Sequence, residues 1–427
     1  MSSPIVPKVS QRLVVRTLVL MFVLAIVLGV YQWAQQQKGD FDLAPSDTAG
    51  MIAAIEYKDE GQQVVAFKPD GTKIENSGWE AGVIDRDLVW QPDGNRLFFV
   101  SDRAKVPGSN VKAFNIFRWD AARASAPSQR TVGTRGRSNP NFADQPGDEE
   151  NRTALIASGG FVLEFDSKDR ATRQVLPPLG NEVSVSEEEG AGSSGQFGGL
   201  YGQLGSSFRL AKWAGGKRYI AAIMRSEEGE VLVIQDTELT DKGQISPPRP
   251  VMAGEKIEIS IDPKSGKVVF SVTNFRWLSP DQIPPQFKQG NKITIPFKHA
   301  ICIATPGEPS FEVIAASNDD TACLGAPAVS PSGDRVALTV GSYADGNLSP
   351  REMTLMPVSS GGVRAAAKLV DGEVFEPSWH PNGQSLAFIR RKDSNRTVFA
   401  INADGSGERQ VSGDGEFAFP RFSPQSK

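Results

Sequence analysis

A chain of 427 residues exceeds an ordinary single core, yet no linker-like break splits it into two compositional halves. A repeat array, each unit packed on its neighbours, reconciles the two. Two cysteines are too few for a disulfide scaffold, and 42 glycines with 29 prolines suit a turn-rich β protein better than a helical one. The formal charge of −4 is uneven: residues 1–39 carry Lys8, Arg12, Arg16 and Lys38 and no acid, which leaves 42 basic against 50 acidic residues beyond. A net acidic body without a basic stripe argues against nucleic acid as a partner.

In chain order, residues 1–12 read as a basic cytoplasmic tail and 13–34 as a transmembrane signal-anchor helix. The run is apolar except for Arg16, Thr17 and Gln32, and about 20 such residues span a bilayer. Lys8, Arg12 and Arg16 precede or open it, and Tyr31 and Trp33 sit where an interfacial belt would be. The positive-inside rule then puts the N-terminus in the cytoplasm and the rest on the extracytoplasmic, periplasmic side. A cleaved signal peptide is the alternative, but Val30-Tyr31-Gln32-Trp33-Ala34 is bulky where a cleavage site needs small residues. Residues 35–49 follow as a polar linker.

From residue 50 to 427 the pattern is all β. Strands around 51–57 and 62–67, closed by Pro69-Asp70-Gly71, look like the second half of a repeat whose first half is missing. That half stands at the other end, in Phe417-Ala418-Phe419-Pro420-Arg421-Phe422, so pairing of N- and C-terminal strands would close a ring and remove its exposed edges. Between them lie units at about 87–136, 139–180, 208–250, 256–317, 325–370 and 373–413. With the split unit this makes seven blades, or six if the degenerate unit at 139–180 merges with a neighbour. Two stretches break the period, 181–207, which is Glu- and then Gly/Ser-rich, and 278–298, which holds four prolines. Both read as loops on a scaffold, where partner contacts or plain decoration are the alternatives.

The repeated unit is clearest in Pro377-Ser378-Trp379-His380-Pro381-Asn382-Gly383-Gln384-Ser385-Leu386-Ala387-Phe388-Ile389, followed by Val398-Phe399-Ala400-Ile401-Asn402-Ala403-Asp404-Gly405. Val89-Trp90-Gln91-Pro92-Asp93-Gly94-Asn95-Arg96-Leu97-Phe98-Phe99-Val100 and Pro327-Ala328-Val329-Ser330-Pro331-Ser332-Gly333-Asp334-Arg335-Val336-Ala337-Leu338 share its grammar. This pattern resembles the TolB-type, WD40-like β-propeller repeat, a "W-S-P-D-G" strand pair followed by an "N-x-D-G" strand pair. The resemblance implies a propeller over most of residues 50–427. Members of the family include periplasmic adaptors and propellers fused to peptidases. Neither the adaptor's additional α/β domain nor an appended hydrolase domain is expected from the pattern of residues 1–427.

No linear motif of chemistry stands out. Only two histidines occur. His380 fills the slot held by Gln91, Ser330 and Ser423 in other repeats, and His299 precedes a strand, so neither reads as a catalyst or ligand without a partner constellation. No cluster of His and Cys suggests zinc, and there is no G-x-S-x-G elbow. Gly190-Ala191-Gly192-Ser193-Ser194-Gly195 matches G-x-G-x-x-G, but it follows Glu187-Glu188-Glu189 rather than a strand. Cys302 and Cys323 could close a loop of about 20 residues as a disulfide or remain buried free thiols. Trp90, Trp213 and Trp379 read as repeat-core residues, and Trp119 and Trp277 as packed. No catalytic residue, cofactor or metal site is therefore expected. The expected role is recognition, as a membrane-anchored scaffold for a protein partner in the bacterial cell envelope. The alternative is a propeller hydrolase or lyase acting on glycans or peptides through acidic residues around the central funnel.

Overall fold

The computed structural model describes residues 50–424, apart from 93, 95, 107, 133–135, 143–152, 160, 167–171, 177–206, 227–228, 239–247, 278–287, 290–291, 294 and 359–365. The expected tail, membrane helix and linker at 1–49 lie outside the described residues, as does the Gly-rich match at 190–195. Among the described residues no helix is long and apolar enough to cross a membrane. Apart from 3-10 turns such as 121–123 and 320–322, the regular structure is strand.

The described residues begin with β1 (Ile52–Lys58), β2 (Gly61–Phe67) and β3 (Lys73–Glu75). A four-stranded antiparallel sheet follows, β4 (Asp85–Trp90), β5 (Leu97–Ser101), β6 (Asn115–Trp119) and β7 (Ser128–Gln129). The next is β8 (Ser138–Phe142), β9 (Thr153–Ser158), β10 (Phe161–Asp166) and β11 (Thr172–Leu176), so the unit that looks degenerate in sequence is complete.

A seven-stranded sheet then holds two units. It comprises β12 (Ser207–Ala214), β13 (Tyr219–Ser226), β14 (Gly229–Asp236), β15 (Arg249–Ile261), β16 (Val268–Arg276), β19 (His299–Ala304) and β20 (Phe311–Ser317), with the small hairpin β17 (Lys288–Gln289) and β18 (Lys292–Ile293) between β16 and β19. The sequence reading separates units at 250 and 256, whereas β15 runs through both. Its first half pairs with β14 and its second with β16. The changeover falls at Gly254, where an added Cβ would lie 2.9 Å from the Thr273 carbonyl oxygen, so only glycine allows that approach.

The last sheets are β21 (Cys323–Val329), β22 (Arg335–Ala344), β23 (Asn347–Pro357) and β24 (Ala367–Asp371), then β25 (Val374–Trp379), β26 (Ser385–Lys392), β27 (Asn395–Asn402) and β28 (Arg409–Gln410). Finally β29 (Glu416–Phe422) lies antiparallel to β1, with Ile52 opposite Phe422 and Tyr57 opposite Glu416. The order β29-β1-β2-β3 thus assembles one unit from both ends of the chain, as the split repeat predicts.

The repeated Pro-x-Gly signature makes the same tight turn each time. Gly333 N–H donates to Ser330 O at 2.9 Å and Gly383 N–H to His380 O at 2.9 Å, with φ of +74° and +70° that glycine adopts without strain. Sheets pack face to face, and each apolar cluster lies between one unit and the next. Phe98, Phe142 and Phe165 join β5 to β8 and β10; Leu386 and Phe388 pack with Met353 and Val370 of the preceding sheet; Trp90, Leu97 and Phe99 pack against Ile55 and Val64 of the closing unit. Such a circle of antiparallel sheets is a β-propeller architecture. Trp90, Trp213, Trp379 and Trp119 are buried, and Trp277 packs edge-on against Phe275.

Phe417 of β29 is buried against Phe67 of β2, ring centroids 5.6 Å apart and nearly perpendicular. Phe417→Ala should lower unfolding free energy by about 3–5 kcal/mol in urea titration. A loss below about 1 kcal/mol would mean that the terminal strand does not close the sheet.

Candidate functional site

The innermost strands β29, β4, β8, β12, β15, β21 and β25 neighbour one another in turn and return to the start. Their side chains therefore meet around a central axis. Most of these strands carry a bulge, which shifts register between Arg86 and Val89, Ser138 and Asn141, Gly325 and Ala328, and Phe375 and Ser378. The bulge residue is left-handed: Asp87 (φ +53°), Asn139 (+49°), Ala326 (+49°), Glu376 (+56°) and Phe419 (+54°). Asn and Asp tolerate this region, but Glu, Ala and especially Phe are strained there by about 1–2 kcal/mol each. Each lies three residues before the apolar or aromatic position of its own repeat: Trp90, Phe142, Val329, Trp379 and Phe422.

The bulges turn backbone N–H groups toward the neighbouring unit, and side chains there accept them. Asp87 Oδ2 accepts from Asn139 N–H at 3.2 Å, Glu258 Oε2 from Ala326 N–H at 2.5 Å, and Glu376 Oε2 from Phe419 N–H. Asn139 Nδ2 donates onward to Arg209 O at 2.6 Å. Arg209 in turn donates to Ile257 O and pairs with Glu230, which itself accepts Ile257 N–H at 2.8 Å. Where no such side chain is available, the repeat tryptophan makes the tie. Trp379 Nε1–H donates to Ala328 O at 2.8 Å and Trp90 Nε1–H to Arg421 O at 3.0 Å. Asp85, fully buried, adds Val64 N–H at 3.2 Å while gripping Arg103 at 2.7 and 2.8 Å.

Burial in this ring favours neutral forms. It raises the Glu376 pKa against the lowering effects of Phe419 N–H, Arg421 and Arg396. It likewise raises Asp87, opposed by Asn139 N–H and Arg86, and Tyr57, with nearby Glu376 acting in the same direction. Arg421 is lowered by burial, with Glu376 opposing. A carboxyl that holds its proton is chemically able to donate one, so the ring is where acid–base chemistry would be sought.

The histidines fall elsewhere. His380 sits in its turn, Nδ1 accepting Asn382 N–H at 3.2 Å with the ring edge-on to Phe422, and burial lowers its pKa. His299 is fully buried at the start of β19 and does have a partner. Its Nε2 lies 3.0 Å from Asp320 Oδ1, and Lys298 Nζ holds the other oxygen at 2.7 Å. Cys302 and Cys323 are free and buried rather than bridged. Burial raises the Cys302 pKa and pushes Cys323 up to about 11, despite a contact with Thr273 Oγ1 at 3.6 Å. Among the described residues no group of three or more His, Cys, Asp or Glu is placed to hold a metal ion.

Sequence reading did not single out Asp87, Glu376, Phe419 or Arg421. For Asp87, Glu376 and Phe419 the signal was a fixed offset of three residues from the repeat's aromatic slot, which composition and motif searches pass over. Asp320 was hidden from His299 because a whole strand separates them.

No protein-family model and no curated protein matches the chain. Among solved structures it is similar to a protein assigned as a 6-phosphogluconolactonase from Bacteroides fragilis, at 13% identity and a TM-score of 0.50, over 89% of this chain and 98% of that one. A prolyl endopeptidase matches at 12% identity and a TM-score of 0.50 over 86% of this chain, which spans about half its length (49%). TolB from Acinetobacter baumannii matches at 12% identity and a TM-score of 0.47, over 88% and 67% of the two chains. At these identities the likeness is one of fold.

Two outcomes follow. Burial makes the neutral acid the form of Glu376 that the fold favours. Its stabilisation is therefore present at low pH and lost as pH rises from the ordinary glutamate value of about 4.3 through the raised one. Urea titrations across that window should show wild type losing stability relative to Glu376→Gln as pH rises; parallel curves would refute the desolvated carboxyl. Second, neither thiol should react with iodoacetamide in the native protein at about pH 8, and both should react after denaturation without reductant.

Proposed function

We propose that this protein is a binding or scaffold β-propeller of seven blades that recognises a protein partner in the cell envelope. The blade count rests on four-stranded grouping: β29 with β1–β3, β4–β7, β8–β11, β12–β14 with the first half of β15, its second half with β16, β19 and β20, then β21–β24 and β25–β28. In this reading residues 13–34 anchor the chain in the membrane, with residues 1–12 cytoplasmic and the propeller extracytoplasmic. The TolB-type grammar of the repeats supports the same assignment.

One observation carries the preference for recognition over catalysis. The ring carboxylates Asp87, Glu258 and Glu376 each accept a backbone N–H from the next unit. Groups committed to holding blades together are poor candidates to exchange protons with a substrate. The second reading, an enzyme acting on glycans or peptides, draws on the desolvated Glu376 and Asp87 and would use Glu376 as the acid.

Mild crosslinking of the tagged full-length protein in intact cells, followed by purification and mass spectrometry, separates the two. A recurrent envelope protein is expected, lost on deletion of residues 181–206 or 278–287, which stop short of β12 and β17. No such partner, together with glycan or peptide turnover by the full-length protein that Glu376→Gln abolishes, would overturn the scaffold reading. The anchor is checked in the same cells: the protein should resist alkaline carbonate extraction, and its propeller should be digested by protease added to spheroplasts.

A further inference from the structure

Three asparagines open an Asn-x-Ser/Thr tripeptide in which x is not proline: Asn151-Arg152-Thr153, Asn347-Leu348-Ser349 and Asn395-Arg396-Thr397. This tripeptide is the acceptor of N-linked glycosylation. Each copy also has an acid two positions before the asparagine, Glu149, Asp345 and Asp393 respectively, the longer acceptor form that bacterial oligosaccharyltransferases read. Asn151 lies outside the described residues. The other two sit at the tips of corresponding hairpins in neighbouring units, β22–β23 and β26–β27, and the fold treats them differently.

The β22–β23 hairpin is longer than its sheet. Its pairing with β21 ends at Gly341 and with β24 at Glu352. The rungs Ser342–Ser349, Tyr343–Leu348 and Ala344–Asn347 therefore form a two-stranded arm, with no third strand beside it among the described residues. Asp345 and Gly346, at φ of +51° and +77°, close the arm with the tight turn that Asp-Gly favours. Residues opposite one another share a face, and successive residues alternate between faces. Tyr343 and Leu348 take the inner face, where Tyr343 is buried, while Asn347 and Ser349 take the outer face and are both exposed. The amide and the hydroxyl that a transferase must grip together thus stand side by side in solvent. Asn347 Nδ2 donates within the turn, to Asp345 O at 3.0 Å. A hairpin of two strands is marginally stable by itself, so the tip can open and present the tripeptide in extended form.

In β26–β27 the hydroxyl is withdrawn. Thr397 is 5% exposed, with Oγ1 3.5 Å from Arg390 O, and Asn395 is half-buried. Arg390, which lies opposite Thr397, is also paired with Val374 of β25, so exposing this copy means opening the sheet itself.

We propose that Asn347 is an N-glycosylation site, modified on the folded propeller, and that Asn395 is not. This rests on the extracytoplasmic placement proposed above, because that is where lipid-linked sugar donors meet exported chains. The Asn347 amide nitrogen attacks the anomeric carbon of an oligosaccharide carried on a polyprenyl pyrophosphate. The C–N bond forms as the bond from that carbon to the pyrophosphate oxygen breaks, the amide gives up one proton, and the polyprenyl pyrophosphate leaves.

Full-length protein purified from the envelope of its own cells and cut with trypsin gives the peptide 336–351, whose one asparagine is Asn347. Mass spectrometry should find this peptide carrying an oligosaccharide, with fragmentation leaving the first sugar on Asn347, and should find the peptide 393–396 bare. Asn347→Gln and Ser349→Ala should each abolish the modification and speed migration on a denaturing gel, and Asn395→Gln should change neither. Bare Asn347 in protein that protease reaches in spheroplasts would overturn this proposal and leave the extracytoplasmic reading standing. Protein that protease does not reach would overturn both. A glycan on Asn395 in place of Asn347, or one on Asn347 that survives Ser349→Ala, would also overturn it. The wild-type measurement stands even where a variant fails to fold.

Discussion

Both faces of each sheet in this protein are apolar, so each is stable only when a neighbour covers it. That single constraint makes closure of the circle the interaction on which the rest depends. Leaving the circle open would expose the apolar face of β1 and β2 on one side and that of β26 and β27 on the other, each several large side chains wide. Pairing β29 with β1 avoids both exposures at once and places Phe417 on Phe67. It also explains why β1, paired with β2 on one side, takes the partner on its other side from the far end of the chain.

Closure creates a second problem at the axis, where innermost strands converge too closely for regular ladders. Bulges relieve the crowding but leave N–H groups turned out of the sheet. The protein satisfies several of these with carboxylates of the adjacent unit, at Asp87, Glu258 and Glu376, while Trp379 and Trp90 tie neighbouring units by donating to backbone carbonyls. The same geometry desolvates Glu376, Asp87 and Arg421, so perturbed ionisation here is a by-product of construction. It need not signal catalysis. The proposal that this protein recognises a partner rests on that argument.

Strain at the axis is unequal. Asp87 and Asn139 suit the left-handed region, while Phe419 does not, and its ring is 38% exposed. Strain of this kind persists only where surrounding structure over-determines it, and here the over-determination comes from the Glu376 bond and from β1 on the other side. The closing strand is thus held from both flanks.

The sequence alone determined the strand periodicity, the tight turns at glycines such as Gly333 and Gly383, the complementary half-repeats at the two ends, and the core role of the repeat tryptophans. These are local signals, set by alternation and by which residues tolerate positive φ, so they can be read without coordinates. Tertiary structure decided the continuous strand β15 across two units, the free state of Cys302 and Cys323, the pairing of His299 with Asp320, and the ring of Asp87, Glu258 and Glu376. Each depends on residues brought together from distant parts of the chain by packing, and no spacing along one strand encodes which neighbour will lie opposite. The repeat names the positions, and only closure of the circle sets what they touch.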